Sequence, residues 1–145
     1  MPADFSITFN NFSQDAFTLR EWSADDEFNT TIHQRPSQIL KGGHGVETLS
    51  WSQTGSSIAS GDVELSVMWS TPKGHSFGVR IWVPVQIGPF GTSPYYNIRI
   101  DDGTWDGEHR GDSYTFSTEI MGYDIEVKPV AEHSHMYLQV NITDV

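Results

Sequence analysis

The sequence predicts an all-β protein, an antiparallel β-sandwich with at most short helices. Apolar and polar residues alternate over one short run after another. Gly, Pro, Asn and Asp punctuate those runs at short intervals, and no stretch keeps a helical period beyond about two turns. In order, 5–10 and 17–23 alternate and read as a first hairpin. Strands follow over 37–41, 46–53, 62–69, 77–83, 95–101, 113–117, 123–129 and 135–143. In 62–69, Val63, Leu65, Val67 and Trp69 face one way, while Asp62, Glu64 and Ser66 face the other. In 77–83, Phe77, Val79, Ile81 and Val83 form the buried set, and Arg80 and Trp82 point outward. Gly42-Gly43, Thr54-Gly55-Ser56, Pro72-Lys73-Gly74, Asp102-Gly103 and Asp106-Gly107 break the runs by presetting φ or permitting positive φ. The weak helical candidates are 23–28 and 105–112. No repeat or linker divides the chain, so residues 1–145 are expected to form a single sandwich domain.

Composition narrows the partners. The chain has 145 residues, no cysteine, and a net charge of −11 with Lys and Arg totalling 8. Without cysteine there is neither a disulfide framework nor a thiolate metal site. Phosphate neutralisation needs a basic surface, which excludes a nucleic-acid binder, and the acidity also opposes adsorption to anionic leaflets. A sugar or a zwitterionic headgroup fits the charge better. The opening MPADF enters an alternating strand with no cationic and apolar leader, and no apolar run has the length to span a bilayer. The expectation is a cytoplasmic protein or one secreted by a non-classical route.

The run from Asp62 to Ile100 carries a resemblance. A Gly-initiated strand, a short turn, a strand ending Val83-Pro84, an aromatic loop, and Tyr95-Tyr96 before Asn97-Ile98-Arg99-Ile100 follow one another in that order. The order resembles the core of the actinoporins, sea-anemone cytolysins whose β-sandwich is similar to that of fungal fruit-body lectins. Ile7 to Asn11, Gly45 to Trp51, Arg110-Gly111-Asp112, Gly122-Tyr123 and Ser134 to Val140 fall in the same order, so the resemblance covers about residues 5 to 143. It implies a sandwich of actinoporin and lectin type that acts as a lectin-like or lipid-binding module. Cytolysin activity is the alternative it implies. The pore-lining helix of those cytolysins has about four residues to correspond to it here, whereas a spanning helix needs roughly 20, so pore formation by that route is not expected. The tyrosine-bearing helix of their choline-phosphate site also has no counterpart between Ile100 and Arg110; Pro84 matches that site by position.

The candidate site is the aromatic surface of the loop between Trp82 and Tyr96. Trp82, Pro84, Phe90, Tyr95, Tyr96 and Trp105 are expected to gather at one end of the sandwich, with Arg80 and Asp101 beside them. Flat aromatic faces with planar hydrogen-bonding groups suit a glycan, and the same rings could cage the quaternary ammonium of a phosphocholine-type headgroup, with peripheral membrane contact. With Val85, Ile87 and Pro89 the patch exceeds what a small headgroup needs, which favours a homodimer. Nothing calls for a cofactor. His133 and His135 lack a third ligand for zinc, and Asp101, Asp102, Asp106 and Glu108 depart from the calcium-loop pattern, so no metal site is expected. Arg110-Gly111-Asp112 reads as a structural turn. No nucleophile elbow, phosphate loop or dinucleotide fingerprint is present, and an enzyme is not expected; the carboxylate pairs Asp101/Asp106 and Glu108/Asp124 are the remaining acid–base candidates.

Overall fold

The computed structural model describes residues 3–24, 30–53, 63–83, 95–110, 115–132 and 135–145. Its strands are β1 (Ala3–Asn11), β2 (Phe17–Ala24), β3 (Thr30–Gln34), β4 (Ile39–Leu40), β5 (Gly45–Gln53), β6 (Val63–Ser70), β7 (Ser76–Val83), β8 (Tyr95–Ile100), β9 (Asp106–Arg110), β10 (Phe116–Ile120), β11 (Tyr123–Glu132) and β12 (His135–Asp144). They form two six-stranded sheets, in the orders β10-β11-β12-β1-β5-β3 and β4-β2-β6-β7-β8-β9. Among the described residues there is no helix. The expected sandwich is therefore the observed architecture.

Alternation explains the core. Phe5, Ile7 and Phe9 of β1, Leu49 and Trp51 of β5, Ile125 and Val127 of β11, and the even positions Met136 to Ile142 of β12 line the inner face of the first sheet. Opposite them lie Phe17 and Leu19, Leu65, Val67 and Trp69, Phe77, Val79 and Ile81, and Tyr96 and Ile98. Aromatic edges join the layers. Phe9 meets Trp69 with ring centroids 5.6 Å apart and Phe77 at 6.4 Å, and Phe17 meets Tyr123 at 5.0 Å, all edge-to-face. The Tyr123 hydroxyl donates to Asp15; burial first, and then this carboxylate, keep the phenol protonated.

The first expected hairpin does not form. β1 pairs antiparallel with β5 and parallel with β12, while β2 lies in the other sheet beside β4 and β6. The cause sits at Asn11, which is fully buried. Its Nδ2 donates to the carbonyls of Asp15 at 2.7 Å and Leu40 at 3.3 Å. Its Oδ1 accepts from Ser13 N at 3.1 Å and Ser13 Oγ at 2.6 Å. All four hydrogen-bonding positions of the amide are used, and they hold the chain in a corner that carries it from one sheet to the other.

Other expectations change for similarly non-local reasons. Residues 106–110 are strand β9, not part of a helix, because β8 supplies an edge for them. Ser23 and Ala24 end β2, and the rest of 23–28 lies outside the described residues. β3 is a strand that alternation did not signal, and it covers the edge of β5. The strand expected at 37–41 shrinks to β4, and that at 113–117 becomes β10, starting at Phe116. The β6–β7 turn behaves as read: Thr71 N donates to His75 O at 2.7 Å and Gly74 adopts φ 85, with Pro72 presetting the bend.

Trp69 is buried between the sheets, so Trp69→Ala should lower unfolding free energy by about 3–5 kcal/mol, read from denaturant midpoints.

Candidate functional site

β6, β7 and β8 lie side by side in the second sheet, with β2 outside β6. Their registers place the outward residues in rows across the strands. Glu64 pairs with Trp82, and Trp82 with the Tyr95 position. In the next row Ser23, Ser66, Arg80 and Asn97 are neighbours; in the next, Glu21, Met68, Gly78 and Arg99. Trp105, delivered by the β8–β9 turn, folds back over that last row. It can do so because residue 78 is glycine: a Cβ there would lie 3.0 Å from Trp105 Cη2 and 2.6 Å from Met68 Cγ.

Arg80 stands along the strand between two partly buried indoles. Its Cζ is 5.4 Å from the Trp82 ring centroid and 5.1 Å from that of Trp105. Nε and Nη2 donate to Asn97 Oδ1 at 3.0 and 2.8 Å, and Nη1 reaches Glu64 Oε1 at 3.5 Å. Arg99 also approaches Trp105, with Cζ 5.9 Å from its centroid, Nε on Gly103 O at 2.7 Å, and Glu21 at 3.9 Å. Each guanidinium is thus paired with a carboxylate, and the face carries donors and acceptors with little net charge. The outer face of the first sheet differs: Thr8 with Thr48, Asn10 with Asn141, and Asn141 with Glu126 bond to one another.

The turn that presents Trp105 is tied at several points. The Asp101 carboxylate accepts from Ser76 N at 3.0 Å and faces His75 Nδ1 at 3.0 and 3.2 Å. Asp102 pairs with Arg20, whose Nη1 also donates to Ser76 Oγ at 2.9 Å. Asp101 has φ 52. The Ser76 N–H first, and then His75, hold its carboxyl below the usual range.

The expected site residues divide accordingly. Arg80, Trp82 and Trp105 come together on the sheet's outer face, in a run from Trp82 near the end of β7 to Trp105 over Gly78. Tyr96 is a correction: it pairs with Ile81 on the inward side of β8 and is fully buried, so it belongs to the core. Asp101 is a second correction. It lies beside Ser76, a full strand length from Val83 where the aromatic loop begins, and is occupied by His75 and Ser76. Tyr95 occupies its register position opposite Trp82, with its backbone alone described. Pro84 and Phe90, with the apolar Val85, Ile87 and Pro89, lie outside the described residues. Glu64, Ser66, Gly78 and Asn97 complete the face; their outward parity in strands already recognised was the signal for them.

Asp106 accepts from Thr104 Oγ1 at 2.7 Å while Asp101 faces His75, and Glu108 and Asp124 belong to different sheets. Among the described residues no three His, Asp or Glu gather as a metal site.

The backbone is similar to two solved structures. The lipid-binding protein Nakanori matches with a TM-score of 0.65 at 7% identity, over 97% of this chain and 70% of that one. The Xerocomus chrysenteron lectin XCL matches with a TM-score of 0.55 at 15% identity, over 98% of each chain. No family model and no curated protein matches the sequence. At these identities the likeness is one of fold.

Gly78→Ala should force Met68 or Trp105 aside, costing about 1–3 kcal/mol in denaturant unfolding and raising the quenching of tryptophan emission by acrylamide.

Proposed function

Starting from a sandwich of the actinoporin and fruit-body-lectin type, we propose that this chain is a non-enzymatic binding module that recognises a neutral glycan on the outer face of its second sheet. The observation that carries the reading is Arg80, fixed by Asn97 and flanked by Trp82 and Trp105. Indole faces suit the apolar side of a sugar ring. The guanidinium donors and the Glu64 carboxylate suit adjacent hydroxyls, and all are held before the ligand arrives. An anionic ligand meets Glu64 and Glu21 and a chain of net charge −11. One neighbour in fold is a lectin and the other a lipid-binding protein, which agrees with a surface module and leaves the ligand to the site.

A glycan array followed by calorimetry tests this. Trp82→Ala and Trp105→Ala should each weaken a sugar hit tenfold or more, about 1.4 kcal/mol, with the fold intact. Unchanged affinity in both variants would remove the site. An empty array with binding to phosphatidylcholine or sphingomyelin vesicles would replace the glycan by a zwitterionic headgroup, and dye release from them would restore the cytolysin reading.

A further inference from the structure

Trp105 belongs to no strand, so something other than a ladder must set its place on the face. The β8–β9 turn that carries it has its own links: Asp101 N donates to Ser76 O at 2.7 Å and Gly103 N to Ile100 O at 3.1 Å. The first of these joins the turn to Ser76, where the β6–β7 turn ends, and Arg20 bridges the same two places through Asp102 and Ser76 Oγ. The Asp101 side chain adds a charged link of its own. It crosses to His75, in the β6–β7 turn, and to the backbone N–H that opens β7. We infer that Asp101 is a positioning residue for Trp105: its carboxylate joins the two turns and so sets the indole over Gly78 and beside Arg80 and Arg99.

The consequence for binding rests on the face being the glycan site; the positioning itself does not. The groups that act on the Asp101 carboxylate are the Ser76 N–H, His75 from the β6–β7 turn, and Arg20 from β2, itself paired with Asp102. Its bonds are made to the ionised form, so its folded titration lies below the unfolded one. The tether is therefore complete at neutral pH. It is lost as pH falls below the ordinary carboxylate range of about 4 and through the depressed value. Asp101→Asn is a clean probe of this charge. Asparagine keeps the shape and is among the few residues at ease with φ near 52, so the backbone of the turn can persist.

The experiment is ¹⁹F NMR of the full chain labelled with 5-fluorotryptophan, with the Trp105 signal assigned by Trp105→Phe. In the wild type that signal should hold steady between about pH 7 and pH 5 and move below about pH 4, before the far-UV circular dichroism changes. In Asp101→Asn it should already be displaced at neutral pH and respond little to acid. His75→Ala, which removes one tether alone, should displace it less in the same direction and serves if Asp101→Asn does not fold. The affinity of Asp101→Asn for a sugar found on the array should drop about tenfold. A Trp105 signal that stays in place in both variants overturns the inference whatever the glycan data show. A displaced Trp105 with undiminished sugar affinity upholds the positioning role and overturns the choice of binding face.

Discussion

The buried amide of Asn11 decides where the chain leaves its first sheet, and the rest of the sandwich follows from that corner. With Asn11 bound to Asp15, Ser13 and Leu40, the backbone turns away from β1 and cannot run back alongside it. β1 is left with both edges open, and β5 and β12 take them, one antiparallel and one parallel. The parallel pairing brings the two ends of the described chain together in the middle of one sheet, an arrangement no local turn can build. The corner is reinforced from outside: Phe12 N donates to Ile142 O, and Gly43 N and His44 N donate to Ser13 O and Asn11 O. A polar group that costs energy to bury without partners has all of its partners here, and it is specific because no apolar side chain could make the same four bonds.

Once the two sheets face each other, period-2 alternation sorts every strand residue to the core or to a surface. In β7 the same strand gives Phe77, Val79 and Ile81 to the interior and Gly78, Arg80 and Trp82 to the outer face. The outer residues are not merely solvated. Gly78 leaves room for an indole that arrives from another part of the chain, and Asn97, itself buried beneath Arg80, stops that guanidinium from swinging. A side chain with many rotamers is thereby held in one of them. Pairing with Glu64 and Glu21 keeps two arginines on this face from forming a strong positive field.

The neighbours in structure share this framework at 7% and 15% identity. Identities that low show a shared fold, and one fold hosts many functions. The fold alone therefore does not name a ligand, which is why the proposal rests on Arg80 and the groups around it.

The sequence by itself determined the fold class, most strand positions, and which residues of β6 and β7 face outward, because alternation is written in neighbouring residues and the inside–outside choice needs no distant partner. Trp69 as core and Trp82 as surface were legible for that reason. Tyr96 was not, because it stands in an aromatic pair where either ring could turn inward, and its pairing with Ile81 chose. The helix read at 105–112 failed likewise, since a short polar run becomes a strand when an edge such as β8 accepts it. Tertiary structure alone decided that β1 and β2 part company, that Trp105 returns across the sheet to Gly78, and that the Asp101 carboxylate meets His75 and Ser76. Each of these depends on a contact between residues far apart in the chain, and such contacts exist only after both partners have been brought to the same place.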